Sequence, residues 1–261
     1  MNKKNMKYAY TILVFFAIYF FLPFIMTGIY AFSTEWGKTF FPTGMTVQWM
    51  KQLFLDISFI KAVLRSLILA TTVLLFILCV MLPTVLTIVI SFPNLNKYMQ
   101  GMSLMPYVIP GVILVTALLK MYAKLNVSML IVLAGALFVM SIPVIYFGLY
   151  NSLISINTKQ LIEAGKTLGA TSLTLIFKVI IPNIRIGVVL SSVMIFSALF
   201  GEYLLTNLLI GGRFETIRIY MLRRMNENGH LASAVMMFYF VCILIMGLQI
   251  NHLSKKLRNE T

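Results

Sequence analysis

The chain has 261 residues, of which 60% are apolar and only 11% charged, with a formal net charge of +14. Ordinary soluble domains carry about 25% charged residues, so a water-facing surface is excluded and the composition assigns the chain to a bilayer. A basic balance is also normal for a bacterial inner-membrane protein, so the charge gives no ground for a nucleic-acid partner.

Asp, Glu, Lys and Arg are absent from residues 8–34, 66–96, 98–119, 125–158 and 229–254, and residues 186–212 hold only Glu202. A helix needs about 20 mostly apolar residues to cross the hydrocarbon core. Six spans are therefore predicted, at about 8–32, 63–90, 102–122, 129–151, 187–210 and 231–253, within a single all-α transmembrane domain over residues 1–261. The first span follows Lys3, Lys4 and Lys7 as a signal peptide would, but its apolar run is too long and no small-x-small site follows Phe32. Residues 33–62 make a long loop whose Trp36 and Trp49 suit the membrane interface. Cys79 and Cys242 both fall inside spans, which implies neither a disulfide framework nor a zinc site.

Five of the eight prolines, Pro23, Pro83, Pro106, Pro110 and Pro143, also lie within spans. Each removes a backbone donor and tends to kink its helix. Proline is commoner in membrane helices than in soluble ones, so one kink means little. Pro106 and Pro110 together favour a bundle lining a path, where a water-filled cavity satisfies the freed groups.

With the N-terminus inside, eleven Lys and Arg face the cytoplasm and ten face outward, which orients nothing. The Lys3/Lys4/Lys7 cluster and the Lys255-Lys256-Leu257-Arg258 end favour both termini in the cytoplasm. Residues 152–186 then form the longest inner segment. Asn157 suits a helix N-cap, with Gln160 completing a capping-box-like pair. Leu161, Ala164, Gly165 and Leu168 recur at one narrow face of small and apolar residues. Gly169 suits the position just past such a helix, and Thr171 suits the cap of a second helix over 172–181, ending near Pro182.

The run Glu163-Ala164-Gly165-x3-Gly169-x9-Val179-x-Ile181-Pro182 resembles the EAA motif, E-A-A-x3-G-x9-I-x-L-P. That motif marks permease subunits of binding-protein-dependent ABC importers of the type I, MetI-like fold. Spacing is retained, with Gly165 in place of the second alanine and Val179 and Ile181 in place of Ile and Leu. Ser66-Leu67-x-x-Ala70, Ile109-Pro110-Gly111 and Ser141-Ile142-Pro143 agree, and the resemblance covers roughly residues 60–250. It implies that Leu161, Glu163, Ala164, Gly165, Leu168, Gly169 and Pro182 belong to a cytoplasmic coupling segment docking on a separate ATPase subunit. It also implies a second permease, identical or homologous, and an extracytoplasmic substrate-binding protein.

Gly165-Lys166-Thr167 spells the end of a P-loop, but position 160, where a Walker A motif needs glycine, is Gln160, and no strand precedes it. ATP binding by this chain is not expected, nor is any cofactor. His230 and His252 sit at opposite ends of the last span, too far apart to share a metal. No paired carboxylates or Gly-x-Ser-x-Gly pattern supports a membrane-embedded enzyme. A secondary transporter would want more intramembrane charge than Glu202 supplies.

Glu202 is the one acid within a span, and such residues usually face a cavity or a partner. Phe200-Gly201-Glu202-Tyr203 and Gly211-Gly212-Arg213-Phe214-Glu215-Thr216 resemble the polyamine, ferric iron and phosphonate branch of these permeases. Two readings stand beside each other: Glu202 lines the translocation path together with Pro106 and Pro110, or it is a buried acid bonded to its surroundings. A lone acid suits a cationic cargo such as a polyamine.

Overall fold

A computed structural model of the chain describes residues 3–37 and 39–259. The side chains of Lys3, Lys4, Lys7, His252, Lys255, Lys256 and Arg258 lie outside the described residues. The elements in order are α1 (Lys3–Ala31), α2 (Gln48–Leu55), α3 (Ile57–Ser91), α4 (Asn96–Val108), α5 (Gly111–Tyr122), α6 (Met129–Ser155), α7 (Thr158–Thr167), α8 (Ser172–Leu175), α9 (Ile181–Phe200), α10 (Leu204–Leu209), α11 (Ile217–Glu227) and α12 (Gly229–Asn259). Among the described residues there is no strand, only one β-bridge between Ser33 and Met45.

Five helical runs are long and apolar enough to cross a membrane: Tyr8–Ala31, Ile57–Ser91, Met129–Ser155, Ser172–Phe200 and Gly229–Gln249. The sixth expected span is present in broken form, as α4 and α5 meeting at 86°. The break follows from the proline pair. Pro110 forces the residue before it out of the helical region, and Ile109 is accordingly extended at φ −88°, ψ 116°. Pro106 sits in the last turn of α4, while Pro110 precedes α5 with a φ of −58°.

The fifth span also differs from expectation. Its helical run starts at Ser172 and ends at Phe200, so Pro182 does not terminate a surface helix but lies at the start of α9. A π turn over Ile176–Ile180 precedes it. A proline ring clashes with the carbonyl one turn back and supplies no donor; the wider turn relieves that conflict, so the chain stays helical through the proline.

The chain divides into two compact units, Met1–Lys61 with Ile219–Cys242 and Ala62–Arg218 with Ile243–Thr261. In the first, an aromatic cluster forms the core: Phe59 packs edge-on to Phe238 with ring centres 5.2 Å apart and lies 5.6 Å from Tyr220. The His230 ring lies between Tyr30 and Trp49, stacked at 4.1 and 5.2 Å.

In the second unit, the closest packing is between α6 and α9. A Cβ added at Gly148 would lie 1.8 Å from Ser191 Oγ, and one added at Gly187 would lie 1.7 Å from Ser152 Oγ. Each helix thus carries Gly-x3-Ser, and each glycine receives the other helix's serine. Both hydroxyls donate back to their own helix, Ser152 to Gly148 O at 2.7 Å and Ser191 to Gly187 O at 2.8 Å. Small residues at this spacing let backbones approach within lipid, where no hydrophobic effect drives helices together. Tyr146 of α6 is fully buried and donates to the Asn96 side chain at the start of α4.

Candidate functional site

The candidate coupling segment is a helix, a sharp turn and a second helix, and its joints are set by single residues. Asn157 adopts φ 50°, ψ 50° and makes no side-chain cap, so the expected capping box with Gln160 is not formed. Asn157 instead ends α6: it takes the left-handed position that asparagine tolerates next best to glycine, and its N–H donates to Ile154 O at 3.0 Å. At the far end Gly169 has φ +80°. Its N–H reaches Lys166 O and that of Ala170 reaches Gly165 O, both at 3.0 Å. This pair of bonds is a Schellman closure, which needs a left-handed residue where Gly169 stands. Thr171 caps α8 as expected, its hydroxyl oxygen accepting from Thr174 N–H at 3.3 Å.

The small face of α7 is divided in use. A Cβ at Gly165 would sit 2.2 Å from Leu175 Cδ2, so that glycine admits α8 of the same chain. Leu161 is half-buried, whereas Glu163, Ala164 and Gly169 are exposed. Leu168 is 87% exposed, leaving a large apolar side chain uncovered at the tip of the turn. Glu163 lies 4.0 Å from Lys159 in an exposed i,i+4 pair. Pro182 is exposed at the start of α9.

The candidate path residues gather around two chain breaks. Glu202 does not lie within a helix; it occupies the gap between α9 and α10. Its Oε1 accepts from Leu205 N–H at 2.7 Å and its Oε2 from Thr206 N–H at 2.9 Å, with the Thr206 hydroxyl also donating to Oε2. The carboxylate therefore satisfies backbone donors that the opening turn of α10 leaves without partners. The same helix packs on α5, where a Cβ at Gly111 would come 2.7 Å from Leu204 Cδ2. The break at Ile109-Pro110 and the break at Glu202 are thereby brought side by side, while Pro106 stays one turn back in α4.

One polar cluster left no trace in sequence spacing. Asp56, just before α3, accepts from Tyr220 Oη at 2.6 Å, Arg224 Nη2 at 2.9 Å and Ser58 N–H at 2.8 Å. Burial works against the Asp56 charge, but Tyr220, Ser58 and Arg224 outweigh it and hold the carboxyl below the usual carboxylate range. Burial, followed by the bond to Asp56, pushes the Tyr220 hydroxyl up to about 12. Among the described residues no group of three or more His, Cys, Asp or Glu is placed to hold a metal ion.

Residues 90–259 match the family described as binding-protein-dependent transport system inner membrane component. No protein of curated function matches the chain. Among the solved structures that share its fold are two of bacterial transporters. One is a bacterial ABC transporter involved in the import of the acidic polysaccharide alginate, with TM-score 0.72 and 19% identity over 97% of this chain and 96% of that one. The other is a bacterial alginate ABC transporter in complex with an alginate pentasaccharide-bound periplasmic protein, with TM-score 0.73 and 19% identity over 97% and 94% of the two chains. At that identity the likeness concerns fold alone. The family match covers both chain breaks and the whole helix–turn–helix segment, and with the apolar spans it makes this a multi-pass inner-membrane protein: the chain belongs to the binding-protein-dependent transport system inner membrane components, the MetI-like permeases of ABC importers.

Proposed function

We propose that this permease acts as one transmembrane domain whose segment 152–186 is the EAA coupling segment, lying in the cytoplasm with both termini and docking on a separate ATPase subunit. Two such ATPases, a second permease and an extracytoplasmic substrate-binding protein complete the importer. The observation that carries this reading is Leu168, 87% exposed at the tip of a turn locked by Gly169. An uncovered leucine on a rigid turn fits an apolar groove on a partner. Ala164 and Glu163 lie exposed on the same helix. The run Ser172–Phe200 joins that turn directly to a span, so force applied at the tip reaches the bundle through one helix.

The translocation path is proposed to pass the paired breaks at Pro106-Pro110 and Glu202, where non-helical backbone needs a protein or water lining. On substrate, the finer placement in the polyamine, ferric iron and phosphonate branch, polyamine first, rests on the resemblance at residues 200–203 and 211–216. The bonding of both Glu202 oxygens supports its structural use and lends the cationic cargo no further weight. Affinity of the cognate binding protein for polyamines, ferric iron and phosphonates decides among them.

The coupling role is tested with Leu168→Asp and Glu163→Lys. Both side chains are exposed, so membrane yield should be unchanged while substrate-stimulated ATP hydrolysis and uptake drop at least several-fold. Wild-type uptake in both variants would refute the coupling assignment.

A further inference from the structure

Residues 32–37 and 39–46 fold back on one another just beyond α1. Thr34 N–H donates to Gly44 O at 2.9 Å, Thr43 N–H to Glu35 O at 3.1 Å and Thr46 N–H to Phe32 O at 2.7 Å, which makes a short antiparallel hairpin. Trp36 Nε1 donates to Thr39 O at 3.1 Å and Trp49 Nε1 to Ser33 O at 2.8 Å. The polar ends of both tryptophans are thus used within the loop. Near the tip, Phe40 and Phe41 are 87% and 73% exposed and contact each other edge-on. Two adjacent phenylalanines left uncovered are an apolar feature that soluble surfaces rarely carry.

What covers them is indicated by the span to which the hairpin is joined. The spanning window of α1 is wholly unburied. A groove of about 370 Å³ runs up that helix, lined by Phe24, Ile25, Phe32, Met45, Met237 and Phe240 among others. Met45 belongs to the hairpin, so the apolar lining of that groove reaches from the span into the loop. The segment starts at the span α1, and the short helix α2 at its far end, which leads into the span α3, leaves Phe54 and Leu55 53% and 71% exposed. The hydroxyls of Thr34 and Thr43, 3.2 Å apart on the hairpin, and the Glu35 carboxylate supply the polar partners that a headgroup layer requires, beside an aromatic belt.

We propose that the 32–46 hairpin is a membrane-surface anchor: Phe40 and Phe41 insert at the boundary between headgroups and acyl chains, and one phospholipid chain lies in the groove beneath Met45. Amphipathic segments bind this layer by burying aromatic and aliphatic side chains a short way into it. The proposal rests on α1 being a span and names no side of the membrane, so it stands or falls separately from the coupling assignment. On the orientation proposed above, the layer is the outer leaflet.

The test uses the full chain in nanodiscs of phosphatidylethanolamine and phosphatidylglycerol, some carrying bromine on the acyl chains. Phe40→Cys, Phe41→Cys and Met45→Cys are each made in a Cys79→Ser, Cys242→Ser background and labelled with an environment-sensitive fluorophore. Asn226→Cys, exposed on the polar helix α11, serves as the aqueous reference. All three test side chains are exposed, so the variants should fold. The expected result is blue-shifted emission, several-fold stronger quenching by brominated lipid than at position 226, and protection from iodide. Quenching equal to the reference at positions 40 and 41 would overturn the anchor. So would labels that stay open to iodide and become shielded only when the substrate-binding protein is added, which would make the hairpin a protein-docking element.

Discussion

Both oxygens of Glu202 accept bonds from the opening turn of α10, which decides how substitutions there should behave. Glu202→Gln keeps one acceptor but turns an amide donor toward the Thr206 N–H or hydroxyl, so a bond to a charged group worth about 1.5–3 kcal/mol is forfeited. Glu202→Leu leaves all three donors unsatisfied. The expected order of thermal midpoint in detergent is wild type, then Gln, then Leu, with substrate preference unchanged in the Gln variant. A Gln variant as stable as wild type but defective in uptake would give the Glu202 charge a direct part in substrate passage, beyond holding the break that borders the path. Composition alone marked this residue as costly in a span; that it stands at a helix end depends on where α9 stops, which no local pattern encodes. Gly169 was the more legible residue, because a left-handed closure has few candidates other than glycine. Asn157 departs from the expected cap for a related reason: it suits both a cap and a left-handed stop, and α6, ending just before it, uses it for the second.

Between elements, the seam of α6 and α9 is the most demanding contact in its unit, and it sets a paired prediction. Gly187→Ala drives a methyl to within 1.7 Å of Ser152 Oγ, and overpacking of this kind typically costs about 1–3 kcal/mol. Ser152→Gly removes the obstructing side chain. The single change should lower the thermal midpoint and the double change should recover most of it; a double variant no more stable than Gly187→Ala would show that the seam tolerates no relief from that side. Apolar runs were enough to show that five or six segments can cross a bilayer, since length and hydropathy decide that, but not to bound the fifth, whose helical run is Ser172–Phe200 where 187–210 was expected. They did not reveal which spans touch. The two Gly-x3-Ser patterns are visible once paired, yet small residues recur throughout such helices and their partners lie far along the chain. The third span shows the same limit. Pro106 and Pro110 announced a disturbance, but an 86° break required Ile109 to leave helical geometry and Gly111 to take up Leu204.

For the whole molecule, the orientation is the consequence that everything else inherits. In a Cys79→Ser, Cys242→Ser background, a cysteine replacing Arg213 should react with an impermeant thiol reagent added to intact cells, and one replacing Lys166 should react only after the membrane is opened. Reaction at position 166 from outside would place the α7–α8 turn on the wrong face for an ATPase. Charge counting was uninformative here because the basic residues are nearly balanced between the two sides. The proposed orientation rests on the coupling segment instead, whose use depends on a partner's shape and not on the membrane potential.

The π turn at Ile176–Ile180 gives the tip and the span a fixed phase difference. Such a turn holds one residue more than an α-helical path needs, and each residue of an α-helix advances the azimuth by about 100°. Removing that one residue would return the stretch to the α-helical path and leave the azimuth of the α7–α8 turn, with Leu168, nearly unchanged, whereas removing one residue from α9 itself would swing the turn about a quarter of a revolution around that helix's axis. The stretch is thus a place where chain length can change without re-aiming the tip, so a single-residue deletion within Ile176–Ile180 should harm substrate-stimulated ATP hydrolysis less than a single-residue deletion within α9.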